Sequence, residues 1–197
     1  MRVALGGIWQ VWQPACDVLG TMGWLDGIRQ KPPAQPANPY PGLRHQALTL
    51  DPASIGLQPS PLLPQVFAGL MEMGMEGGVA SLVVIADGTT SLYWSTGGGI
   101  IGAGFHEAVK PPSKVFLATL ERHLKEMGDD DPTHQPPGNG MIHLRARTFA
   151  GGCLLAAASS QDFAGKRHPL WEAFYAGNAV ITAMRQLPSV QNSNLGR

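Results

Sequence analysis

Two apolar runs, each broken at a glycine turn and each followed by a helical stripe, constrain this chain more than any other feature. Ala80 to Ala86 reads Ala-Ser-Leu-Val-Val-Ile-Ala, which is rich in branched side chains and too short for a free-standing helix. Asp87-Gly88 supplies the residues favoured in a two-residue hairpin turn, and Thr89 to Thr96 returns as the partner strand. Ile142 to Thr148 alternates Ile-His-Leu-Arg-Ala-Arg-Thr, and beyond Ala150-Gly151-Gly152 the run Cys153 to Ala158 answers it. The first unit occupies 79–96 and the second 141–159. A strand apolar on both faces, as Leu82-Val83-Val84-Ile85 is, belongs at the centre of a sheet with cover on either side.

Helical spacing surrounds these hairpins. Ser60-Pro61 has the form of a helix start, and Leu63, Val66, Phe67, Leu70 and Met71 then recur at helical intervals up to Gly74, predicting a first helix there. A second follows Pro111-Pro112, with Ser113 as its cap and Phe116, Leu117, Leu120, Leu124 and Met127 as one stripe ending at Gly128. The last opens at His168-Pro169 and steps through Leu170, Phe174, Gly177, Ile181 and Met184 to Leu187-Pro188. Gly177 in that seam weakens the helix but would let a partner helix approach closely. The order helix, hairpin, helix, hairpin, helix predicts one α/β (α+β) domain over 60–187, an antiparallel sheet of about four to five strands with helices packed on its faces.

Prolines recur from Pro32 to Pro64 and forbid a long helix or a central strand there, so 1–59 is expected to be a partly irregular, proline-rich arm. Within it Pro33, Pro36 and Pro39 share polyproline spacing beside Tyr40, read as a stiff spacer or a segment lying on the domain. Met22 resembles a protein start, which makes 1–21 suspect as upstream sequence. Residues 188–197 form a polar tail.

Composition excludes several classes. The 14 basic and 14 acidic residues cancel, and charged residues are only 14% of the chain, so nothing draws it to nucleic acid or an anionic membrane by charge. Low charge combined with 44% hydrophobic residues favours burial against a second copy, and a homodimer is the expectation. Cys16 and Cys153 lie too far apart for a CxxC pair or a disulfide framework, which suits a reducing cytoplasm. The apolar run Phe149 to Ala158 falls well short of the ~20 residues a membrane helix needs. Gln10 and Gln13 interrupt the first apolar stretch, so no signal peptide is expected.

No strong catalytic or metal motif is present, and we expect no enzyme activity, cofactor or metal. Gly97-Gly98-Gly99-Ile100-Ile101-Gly102 satisfies GxGxxG after a strand, but Pro111-Pro112 break the chain soon after, so it reads as a loop or a bulged strand end. His106-Glu107 reads as a solvated loop pair, and Asp129-Asp130-Asp131 as a solvated acidic turn without EF-hand spacing. Ser159, Ser160, Asp162 and His168 contain the residue types of a hydrolase triad without the turn that exposes a nucleophile. His143, Arg145 and Arg147 share one face of a strand as the best basic patch for a phosphate or an acidic partner. Phe174 and Ile181 are the expected contacts of a helical interface, with Trp94, Trp171 and Tyr175 as core or interface residues.

The element order, the Leu82-Val83-Val84-Ile85 run with Asp87-Gly88, and the Ala-rich last helix together resemble the roadblock/LC7 family, within the profilin-like and longin-like folds. That resemblance covers about 60–187. It implies a small antiparallel sheet, homodimers made through helix and edge-strand contacts, and a regulatory platform for a partner such as a small GTPase. The alternative from the same pattern is a small-molecule sensor of the GAF or PAS kind, its ligand lying under the Gly97–Gly104 loop.

Overall fold

The computed structural model describes residues 38–131 and 133–188, so Cys16, Met22 and the polyproline spacing at Pro33 and Pro36 lie outside the described residues. One mixed sheet-and-helix unit emerges. Seven strands pair antiparallel in the order β4-β3-β2-β1-β6-β7-β5, more than the four to five expected. They are β1 (Val66–Met75), β2 (Gly78–Ile85), β3 (Thr90–Trp94), β4 (Gly99–Ile100), β5 (Gly128–Asp129), β6 (Met141–Thr148) and β7 (Cys153–Ser159). Four α-helices accompany them: α1 (Tyr40–Thr49), α2 (Lys110–Arg122), α3 (Ser160–Ala164) and α4 (Trp171–Arg185).

Both expected hairpins are present, and their turns share one construction. Ile85 N donates to Thr89 O and Gly88 N to Ile85 O, while Thr148 N donates to Gly152 O and Gly151 N to Thr148 O. Each loop therefore holds three residues, where two were expected at Asp87-Gly88, with the third, Gly88 or Gly151, at φ 96° or 87°. That position sits in the left-handed region, which only glycine enters without strain.

The expected first helix is instead strand β1, the centre of the sheet. Val66 to Glu72 are all buried because β2 pairs along one side, β6 along the other, and helices cover both faces. A strand buried on every side has no alternation, and its apolar positions fit a helical stripe equally well. The turn Glu76-Gly77 then closes a third hairpin, joining Met75 to Gly78.

The helices α2 and α4 pack side by side over one face. There Leu92, Leu82, Met71, Leu144 and Ala156 lie in a row across five strands and meet Phe116, Leu120, Ala173, Val180 and Met184. A side chain at Gly177 would come within 2.8 Å of the Met71 sulfur, so the close approach made there is to the sheet. The prolines Pro111 and Pro112 fall in the first turn of α2, where missing N–H groups cost nothing.

On the opposite face lies α1, inside the segment expected to be an irregular arm. Pro39 precedes it and Pro41 falls in its first turn, so proline starts this helix instead of breaking it. Its buried Tyr40, Ala47 and Leu48 pack on Phe67, Leu70, Val83 and Tyr93. The segment from Asn38 to Leu50 thus belongs to the compact unit.

Replacing Gly151 by Ala meets open space and changes only the backbone preference. The variant should lose about 1–2 kcal/mol, read as a lower urea midpoint with an unchanged slope.

Candidate functional site: a buried ionic cluster

The face under α1 is built from alternate residues of the same strands, and it is polar where the other face is apolar. Strand pairing sets Tyr93, Ser81, Glu72, His143 and Ala157 side by side, then Ser91, Val83, Leu70, Arg145 and Leu155. A third row runs Ile85, Ala68, Arg147 and Cys153. Glu72 and Arg145 are diagonal neighbours on the two central strands, and both side chains are fully buried.

Every oxygen of Glu72 is used. Oε1 accepts from Arg44 Nε at 2.7 Å and Ser81 Oγ at 2.9 Å, and Oε2 accepts from Arg44 Nη2 at 3.0 Å and from Arg145 Nη1. Arg145 Nε also donates to Asp130 Oδ2 at 2.7 Å, and its Nη2 to the Gln135 carbonyl at 2.8 Å. Arg44 also donates to the His134 carbonyl, so α1 is fastened both to the sheet and to the loop after β5. Tyr40 shares a 2.9 Å hydrogen bond with Ser81 at the helix start.

Asp130 sits at the hub of that loop. His134 Nδ1 lies 2.6 Å from its Oδ2, and Cys153 Sγ lies 3.5 Å from the same oxygen. Burial pushes the Asp130 carboxyl up, but hydrogen bonds from Arg145 and His134 outweigh it and hold the group below the usual carboxylate range. Burial, reinforced by the charge of Asp130, pushes the Cys153 thiol up to about 11, so it stays protonated at neutral pH. Burial and the charge of Arg145 push His143 down. Asp130 is therefore no part of a solvated acidic turn. Its neighbours Asp129 and Asp131 are exposed, and Asp131 instead accepts from Thr133 N at 2.7 Å.

The basic patch expected at His143, Arg145 and Arg147 does share one face, but α1 and the 130–135 loop cover it. Arg145 is consumed internally, and Arg147 donates to Leu50 O at 3.2 Å while lying over the Phe67 ring at 5.7 Å. Phe174 and Ile181 lie on α4, across the sheet from these three, and both are half-buried. The structure therefore does not bring the five expected binding residues together.

Other expected constellations resolve into local structure. The GxGxxG segment forms the short strand β4 and a single helical turn over Ala103–Phe105, and no helix begins until Lys110. A Cβ on Gly104 would lie 1.7 Å from Gly88 O, which leaves no room for a ligand between that turn and the β2–β3 loop. Glu107 pairs with Lys110 at 2.5 Å, beside an exposed His106. Ser159 caps α3 by accepting from Asp162 N at 3.1 Å and donating to Asp162 Oδ2 at 2.6 Å. His168 Nδ1 accepts from Leu170 N at 3.1 Å just before α4, so the triad residue types make local hydrogen bonds at the starts of two helices.

Beside the cluster, Tyr40, Arg44, His45, Thr133 and His134 line a cleft of about 300 Å³. No described helix is long and apolar enough to cross a membrane. Comparison with protein-family models, with curated proteins and with solved structures finds no match for this chain.

Removing one charge of the buried cluster strands its partner. Glu72→Ala should destabilise the protein by about 3–5 kcal/mol, measured by urea unfolding, because Arg145 is then buried without its carboxylate.

Acid should act through the depressed histidines. In the unfolded chain His143 takes up a proton below about pH 6.5, while in the fold it resists, so stability erodes as pH falls from there. His168 is also pushed down by burial, and it adds to the slope. Asp130 acts only at lower pH, where its contribution is lost as pH falls through its depressed value. Urea midpoints taken between pH 7 and 5 should fall, and His143→Gln should remove part of that fall.

Proposed function

We propose that this chain is a non-catalytic protein-binding domain that works as a homodimer, a scaffold or regulator on the roadblock/LC7 pattern within the profilin-like folds. The observation that carries the reading is the outer face of α4. Between Glu172 and Arg185 the helix bears no charge, and Trp171, Phe174, Tyr175, Asn178, Ile181 and Thr182 form a stripe left half-covered or exposed by its own domain. Tyr175 is 44% exposed, and Ala179 beside it is small enough to admit a close neighbour.

An uncharged stripe of this kind suits a second copy of itself, because a two-fold axis sets the same residues against each other and like charges there would repel. Aromatic residues at its amino-terminal end, where Phe174 stacks on Phe163 at 5.6 Å, give it rigid apolar area. Edge-strand contact, the other mode implied by the family resemblance, has a place at β7. Among the described residues β5 pairs only with Leu154 and Leu155, leaving the outer edge beyond them without a strand. In this reading the dimer is a cytoplasmic platform for a protein partner such as a small GTPase.

Sedimentation at micromolar concentration tests the assembly, and a strictly monomeric chain would remove it. Ile181→Asp should yield a monomer. Ala179→Glu should do the same while leaving the thermal midpoint within a few degrees, because Ala179 is exposed on the protomer.

A further inference from the structure

Asp130, His134 and Cys153 converge in a way the ionic cluster alone does not require. One donor atom of each lies within 4.8 Å of the other two. They come from two places: Asp130 and His134 from the loop after β5, and Cys153 from the start of β7. The first and last are tied by Asp130 N donating to Cys153 O at 3.0 Å. His134 has φ 48°, a left-handed backbone conformation that is uncommon among non-glycine residues.

A second observation is independent of that convergence. The Asp130 side chain is 1% exposed, and while Oδ2 serves Arg145, His134 and Cys153, its other oxygen, Oδ1, is buried without a hydrogen-bond partner among the described residues. A buried carboxylate oxygen with nothing to accept from is costly, and a cation is one group that would satisfy it.

We propose that Asp130, His134 and Cys153 form a binding site for a divalent transition-metal ion, with Zn²⁺ the natural occupant. Carboxylate, imidazole and thiolate are the zinc donor types, and a sulfur ligand argues against Mg²⁺ or Ca²⁺. The ion takes Oδ1, a ring nitrogen of His134 and the Cys153 sulfur, whose proton leaves to solvent. The thiolate offsets one of its two charges; Asp130 already balances Arg145, so an anion such as hydroxide at the open position offsets the other. Arg145 keeps its bond to Oδ2 and orients the carboxylate from behind, as outer partners of metal ligands do. Donors around a zinc ion at about 2.0–2.3 Å lie about 3.3–3.8 Å apart, so a set lying within 4.8 Å needs adjustments on the order of an ångström. That loop is the accessible side: His134 is 20% exposed and borders the cleft beside α1, which supplies the entry path. Three protein ligands leave one position to water or a small ligand from the cleft. This site does not depend on the dimer reading.

Cobalt reports the site directly. The full chain, stripped with chelator and titrated with Co²⁺, should bind one ion per chain and develop a near-ultraviolet thiolate-to-cobalt charge-transfer band, which Zn²⁺ then displaces. Cys153→Ser should abolish the band and Cys16→Ser should keep it. His134→Ala should weaken Zn²⁺ by roughly 100-fold or more, since losing a ligand exceeds the loss of an outer partner. Zn²⁺ should raise the thermal midpoint of the parent chain and not of His134→Ala, which also decides the matter if Cys153→Ser fails to fold. Absence of the band in the parent chain, its survival in Cys153→Ser, or its loss only in Cys16→Ser would each overturn the proposal.

Discussion

The interaction on which the remaining structure depends is the burial of Arg145 between Glu72 and Asp130. A guanidinium taken fully out of water is tolerated only when its charge and its donors are met, and here two carboxylates and a carbonyl meet them. Those partners come from the central strand and from the loop after β5, while Arg44 adds α1 to the same carboxylate. One charged group therefore determines where a strand, a loop and a helix meet. Replacing the set with apolar side chains of similar volume would be close to neutral in energy, so its contribution lies in specifying an arrangement more than in supplying stability.

The two faces of the sheet divide labour accordingly. Against α2 and α4 the contacts are mostly apolar, Met71 and Leu144 meeting Phe116 and Val180, with Thr90 Oγ1 3.1 Å from Ser113 Oγ and Glu121 accepting from Val66 N at 2.6 Å. Against α1 a smaller apolar group around Phe67 and Leu70 sits beside the ions. Helix α1 is short, and the polar ties of Tyr40 and Arg44 supplement a modest buried stripe.

How far this was legible in the sequence follows from what each segment buries. The β2–β3 and β6–β7 hairpins and helices α2 and α4 could be read because turn glycines punctuate the strands and the helices keep one wet face. Strand β1 could not, because Val66 to Glu72 is covered on both sides and its spacing fits a helix as well. One residue there carried a signal that was missed: Glu72 is a lone charge in an apolar run, and a carboxylate so placed requires a buried cationic partner. Helix α1 was hidden by its prolines, which are equally at home in a first turn. Of the candidate site, the shared face of His143, Arg145 and Arg147 was visible from alternation. Its cover was not, since Arg44 and Asp130 are far from those residues in sequence and no local pattern links them.

The unequal faces also bear on how the strands find their alignment. Side chains alternate along β1, so sliding it by a single residue against β6 would turn Glu72 toward Phe116 and Leu120 and carry a glycine or methionine to the place opposite Arg145. Two unpaired charges in hydrocarbon would follow from that one slip. The ions thus proofread the central pairing, and they do so where an all-apolar strand would accept either setting.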